Sequence, residues 1–163
     1  MPAPDIDIVD PYTGRGTMEY VWIEDLANYK TPTRAELDAG VCLTPNVYDH
    51  DGFTVKSSQV DAPNARDRFT PTISGEQKAD DSSIKSYMKK SGEDARDLMP
   101  EDAEGYIARY PGGDKVGYLV DIFPVQVSAQ NKEISLDGSR PDGMQFQYAI
   151  KRKPALNVPI PTA

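Results

Sequence analysis

Apolar and polar positions alternate most cleanly near the end of the chain, where Met144, Phe146, Tyr148 and Ile150 interleave with Gln145, Gln147, Ala149 and Lys151. Successive side chains of a strand point to opposite faces, so this period of two predicts a half-buried antiparallel strand. Upstream, Val116, Tyr118, Val120 and Ile122 alternate with Gly117, Leu119 and Asp121. That pattern predicts a strand from Val116, reached from a strand at Tyr106–Tyr110 through a Pro111-Gly112-Gly113 hairpin turn. Beyond Phe123-Pro124 the apolar phase moves by one residue, to Phe123, Val125 and Val127. A one-residue shift at a proline predicts a β-bulge that bends a long strand. Tyr20–Glu24, rich in aromatic and β-branched residues, is the first predicted strand.

Between these strands the signals come mostly from turn and cap residues. Thr33 can cap a short helix, Glu36 can reach back to complete a capping box, and Gly40 supplies a stop. Asp51-Gly52 reads as a tight turn between Val47-Tyr48 and Phe53-Thr54-Val55. Residues 56–68 are polar and contain Pro63, which predicts a loop, and Pro71 restricts Phe69–Ile73 to an edge or a bulge. Gly75–Asp81 is polar, and Ser83–Met88 is strand-like. A second helix is predicted over Ser91–Leu98, with Ser91 as cap, Asp94 in the first turn and Pro100 beyond the end. The Pro- and Asp-rich residues 1–17 predict an N-terminal arm, and Pro154–Ala163 an extended tail. The expected organisation is an arm (1–17), one β domain (18–153) and a tail (154–163). The expected fold is mainly β: an antiparallel β-sandwich or partly closed barrel with one or two short helices and several edge strands that something must cover.

Composition narrows the function. The 163 residues suffice for one core, but only 38% are hydrophobic, with 14 prolines and 12 glycines. Some surface is therefore expected to be buried only on assembly. A net charge of −8 argues against a sequence-reading nucleic-acid clamp. Cys42 is the sole cysteine, which excludes an internal disulfide and a thiolate zinc site. Met1–Asp10 has neither a basic n-region nor a long apolar run, so no secretory signal is expected, and no stretch is long enough for a membrane span.

No common catalytic or metal-binding arrangement emerges. Asp49-His50-Asp51 is the one place where histidine sits among carboxylates, but strand alternation would send His50 away from its neighbours, and a solvated hairpin tip is the expected reading. Asp5–Asp10 lacks the glycine and the acidic twelfth position of a calcium loop. Asp80-Asp81 is expected to be an exposed polar turn rather than an acid–base pair. No serine lies in a nucleophile elbow, His50 is the only histidine, and no phosphate loop or dinucleotide fingerprint occurs. No catalytic, cofactor-binding or metal-ligating residue is predicted. Lys151-Arg152-Lys153 is the one basic run, open to nucleic acid, to a neighbour's acidic surface, or to solvent alone. An Asp-rich arm and a basic strand end in one chain suit a head-to-tail contact.

Several segments have a familiar order. Thr31–Gly40, Asp51-Gly52-Phe53, Arg68-Phe69-Thr70, Ala79–Ser83, Phe123–Val127, Gln147–Ala155 and Val158–Pro161 together resemble the major tail tube proteins of long, non-contractile-tailed actinobacterial phages. The resemblance spans most of residues 20–161. It implies a structural β subunit of the virion, made in the host cytoplasm, that forms hexameric rings stacked into a tube. Implied partners are copies of itself, the tape-measure protein, the tail-tip and tail-terminator proteins, and genomic DNA passing without sequence-specific binding. Neither catalysis nor a cofactor is implied. The alternative is a monomeric virion adhesin that binds glycans on exposed aromatics such as Trp22, Tyr48 or Tyr87. On the tube reading, the 56–68 loop, the arm and the tail order only on assembly, and a chain lacking 154–163 still folds.

Overall fold

The computed structural model describes residues 2–91 and 94–163. Its organising element is the longest strand, Leu119–Glu133 (β8). The strands before it are Glu19–Ile23 (β1), Val41–Cys42 (β2), Val47–Asp51 (β3), Val55–Asp61 (β4), Thr72–Ala79 (β5), Ser82–Tyr87 (β6) and Glu104–Tyr110 (β7). Gly143–Ile150 (β9) and Ala155–Pro159 (β10) follow it. Two short helices, Arg34–Asp38 (α1) and Ala95–Leu98 (α2), and a 3-10 turn at Thr44–Asn46 complete the elements.

An eight-stranded antiparallel sheet runs β2-β1-β7-β8-β9-β6-β3, with β10 added beside β8. Its terminal strands, β2 and β3, are joined through residues 43–46 alone, so the sheet must curl to bring its ends together. Among the described residues no ladder closes β2 onto β3, and the barrel stays open. The mainly β, antiparallel fold with two short helices expected from the pattern is the one observed, and the sheet does not close into a barrel.

Each face of the curled sheet carries its own core. Tyr20, Trp22, Ile84, Ile107, Phe123, Val125, Val127, Met144, Phe146 and Tyr148 fill the concave side, drawing on strands from around the whole curl. Val21, Ile23, Ala108, Val120 and Ile122 form a second cluster on the opposite face, covered by Leu26, by Leu37 of α1, and by Val158 and Ile160 of the C-terminal segment. This double burial explains the phase shift in β8. Val120 and Ile122 belong to one core, and Phe123, Val125 and Val127 to the other. The ladder to β7 runs without interruption from Asp121 to Gln126, so the bulge expected at Pro124 is absent, and the register shift lies between Val127 and Ala129. Pro124 sits where β8 exchanges β10 for β9 as its neighbour.

Other expectations are corrected. β8 begins at Leu119, and Val116 and Tyr118 lie in an exposed connection from β7. Asp51-Gly52 does not join a hairpin, because β3 pairs with β6 while β4 pairs with β5. The chain leaves the main sheet through successive left-handed residues, Gly52 (φ 79) and Phe53 (φ 57). A Cβ on Gly52 would lie 2.3 Å from the Asp81 carbonyl oxygen. Residues 56–61 are strand rather than loop, and β5 extends through the polar stretch to Ala79, with Phe69–Pro71 outside it. α2 starts at Ala95, capped by Asp94 rather than Ser91. Residues 92–93 of the expected helix lie outside the described residues.

The Thr33–Glu36 capping box of α1 forms as expected, and so do β1, β6 and β9. The C-terminal segment is extended, but β10 is already part of the sheet in the single chain, so ordering of this tail does not wait for assembly.

Candidate assembly surface

The surface that stands out is made of strand edges and exposed apolar side chains. β4 and β5 pair only with each other among the described residues. Nearly every residue of this hairpin is exposed, including the cross-strand pair Val60 and Ile73, and Phe69 beyond them is 78% exposed. A two-stranded ribbon standing off its domain is marginal by itself in water, and its open edges are ready templates for pairing. The N-terminal arm adds Ile6 and Ile8, 87% and 99% exposed. Residues 2–13 of the arm contain no helix or strand.

The predicted polar positions fall into structural roles. Asp49, His50 and Asp51 lie on β3, an edge strand and not a hairpin tip. The His50 ring packs 5.5 Å from that of Tyr20. Asp5, Asp7 and Asp10 lie in the exposed arm. Asp80 braces the root of the β4–β5 hairpin, accepting from Thr54 Oγ1 at 2.7 Å and pairing with Lys56 at 3.0 Å. The Thr54 bond, then Lys56, holds its carboxyl below the usual range. Asp81 beside it is exposed. Among the described residues no group of three or more His, Cys, Asp or Glu is placed to hold a metal ion.

Of the proposed aromatic platform, Trp22 is buried in the concave core. Tyr48 and Tyr87 are exposed and stack on each other at 4.6 Å. The Tyr48 hydroxyl donates to Glu133 at 3.0 Å, and Lys85 pairs with the same carboxylate at 3.1 Å. Lys85 first, then the Tyr48 bond, holds the Glu133 carboxyl below its usual range.

The basic run is only partly free. Lys151 pairs with Glu104, and the Arg152 guanidinium lies over Tyr29 at 5.0 Å while donating to the Tyr106 hydroxyl at 3.0 Å. Residues 151–154 also line a groove against the root of β5, where Gln77 and Lys78 form the other wall. Neither the free hairpin nor this groove was visible in the sequence. The hairpin has no buried face to give a hydrophobic period, and the groove joins segments more than seventy positions apart.

Open edges around filled cores, with exposed apolar segments, leave surface that another chain can cover. Residues 7–163 match the family model described as phage tail tube protein, and the chain belongs to that family. It is a structural component of the virion and not an enzyme. No curated protein sequence matches it. Among solved structures it is similar to the tube-terminating cap of the anti-feeding prophage, with 12% identity and a TM-score of 0.58, over 98% of this chain and 97% of that one. The tail of an empty GTA particle, refined with C6 symmetry, gives 9% identity and a TM-score of 0.49 over 86% of this chain and 93% of that one. At 12% identity the likeness to the cap is one of fold alone. Among the described residues no helix is long and apolar enough to cross a membrane.

Proposed function

We propose that six copies of this chain close into a ring, that rings stack into the tube of a long, non-contractile actinobacterial phage tail, and that the tube conducts the genome into the host. The carrying observation is the β4–β5 hairpin, whose free edges and exposed Val60, Ile73 and Phe69 are left for another copy to cover. Residues 18–153 serve as the ring-forming domain, with the tail (154–163) laid onto its sheet through β10, and the arm (1–17) is the segment left to reach a neighbour. No residue has a catalytic, cofactor-binding or metal-ligating role. The tape-measure protein occupies the tube before ejection, and tail-tip and tail-terminator proteins close its ends. A chain of net charge −8 offers passing DNA few cations to replace its condensed counterions, which favours sliding over sticking. Negative-stain electron microscopy of the concentrated protein over a range of salt tests this reading. Rings or hollow tubes are expected, and a uniform monomer under every condition contradicts it.

A further inference from the structure

We infer that the acidic N-terminal arm of one copy docks along β5 of a second copy, with its aspartates in the basic groove at the root of that strand. This inference rests on the tube reading above. The occupant is set by the arm's own chemistry. Asp5-Ile6-Asp7-Ile8 alternates like a strand, the arm has no basic side chain before Arg15, and both isoleucines are left in water. The groove has the opposite sign: Lys78, Lys151, Arg152 and Lys153 line it. Among the described residues Lys78 and Lys153 form no ion pair, whereas Lys151 and Arg152 are held by Glu104 and by Tyr29 and Tyr106.

The other edges are poor hosts, including β4, whose root cation Lys56 is already paired with Asp80 and which ends on Asp61. β2 has only two residues. β3 presents Asp49 and Asp51 and would repel the arm. β10 is broken by a register shift, by Asn157 at φ 56 and by Pro159. β5 runs from Thr72 to Ala79 with a free side, basic at Lys78, acidic at the single Glu76 and apolar at Ile73. An extended arm over residues 2–13 reaches about 40 Å, enough to leave its own domain for a neighbour. Strand addition along β5 would satisfy backbone groups on both partners and set the charges in register. In this arrangement Asp5 meets Lys153 and Asp7 meets Lys78, Val9 rather than a carboxylate lies beside Glu76, and Tyr12 comes level with Ile73.

Paired charge reversal tests the contact. Asp5→Lys with Asp7→Lys, and separately Lys78→Glu with Lys153→Glu, are each expected to lower ring and tube yield at least about tenfold. Combining all four in one chain restores opposite signs, and the expected result is recovery to near the unsubstituted yield. All four side chains are exposed, so far-UV circular dichroism and melting temperature should stay unchanged. A combined variant as defective as either parent overturns the contact. Mixing Asp5→Cys and Lys153→Cys chains, each also carrying Cys42→Ser, gives a second measurement. Disulfide-linked dimers are expected only from the mixture, and their absence in assembled material overturns the contact. Unsubstituted protein run alongside reports on the tube reading separately. Its normal tubes, with no rescue and no cross-link, remove arm docking and leave that reading standing.

Discussion

Arg109 donates to Asp121 from Nη2 at 2.9 Å, on neighbouring strands β7 and β8, and the guanidinium lies 5.0 Å from the centre of the Phe123 ring. The second carboxylate oxygen of Asp121 accepts the backbone N–H of Asn157 at 2.9 Å. One carboxylate thus ties the ladder to the C-terminal strand. Asp121→Ala leaves both donors without a partner in a mostly buried site, and the expected loss is about 2–3 kcal/mol. Asp121→Asn keeps an acceptor for Asn157 and is expected to lose less. The urea midpoint of each variant checks the order, and an unchanged midpoint for Asp121→Ala contradicts it.

Removal of residues 154–163 is expected to destabilise the isolated chain, not only its assembly. Val158 and Ile160 are buried in the second core, and burial of such side chains contributes about 1.5–3 kcal/mol each. Calorimetry should show a clear drop in melting temperature for the truncated chain. An unchanged temperature would mean that β10 adds nothing to the single chain.

Gly105 faces the only tryptophan. A Cβ there would lie 2.6 Å from Trp22 Cη2 and 2.9 Å from the Ile23 carbonyl oxygen. Gly105→Ala therefore forces the indole to move, at an expected cost of about 1–3 kcal/mol. Because Trp22 is the sole tryptophan, its emission spectrum reports the shift without interference.

Acid stability follows from the depressed carboxyls. Lys85 and Tyr48 hold Glu133 low, and Arg96 together with backbone N–H groups holds Asp94 low. Groups whose folded value is depressed bind fewer protons folded than unfolded, so stability rises with pH through their range. The contribution is complete above the ordinary carboxylate range and is lost as pH falls below it through the depressed folded values. Melting temperature should be flat from pH 7 to about pH 5 and fall below about pH 4. Glu133→Gln should lower it at pH 7 and leave it unchanged near pH 2.

Val60→Thr combined with Ile73→Thr is expected to separate folding from assembly. Both side chains are exposed, so stability of the single chain should stay within about 0.5 kcal/mol. Sedimentation should show the substituted chain remaining small where the unsubstituted chain forms rings.

How legible each element was in the sequence depends on what buries it. β9 has one buried face, and its alternation appeared directly. The capping box of α1 was legible because Thr33 and Glu36 satisfy each other within one turn. β8 was legible as a strand, but its phase shift marks a change of core and not a bend, since a strand buried on both faces shows a continuous apolar run. β4 and β5 gave no period at all, as neither face is buried in the single chain. The pairing of Lys151 with Glu104, and the stacking of Arg152 on Tyr29, join positions that only the folded sheet brings together.

The most direct test of the central claim is a helical cryo-EM reconstruction of assembled tubes. The account predicts six copies per ring, with β4–β5 and residues 5–10 buried between copies. A different ring number, or tubes in which the hairpin and the arm stay exposed, would contradict it.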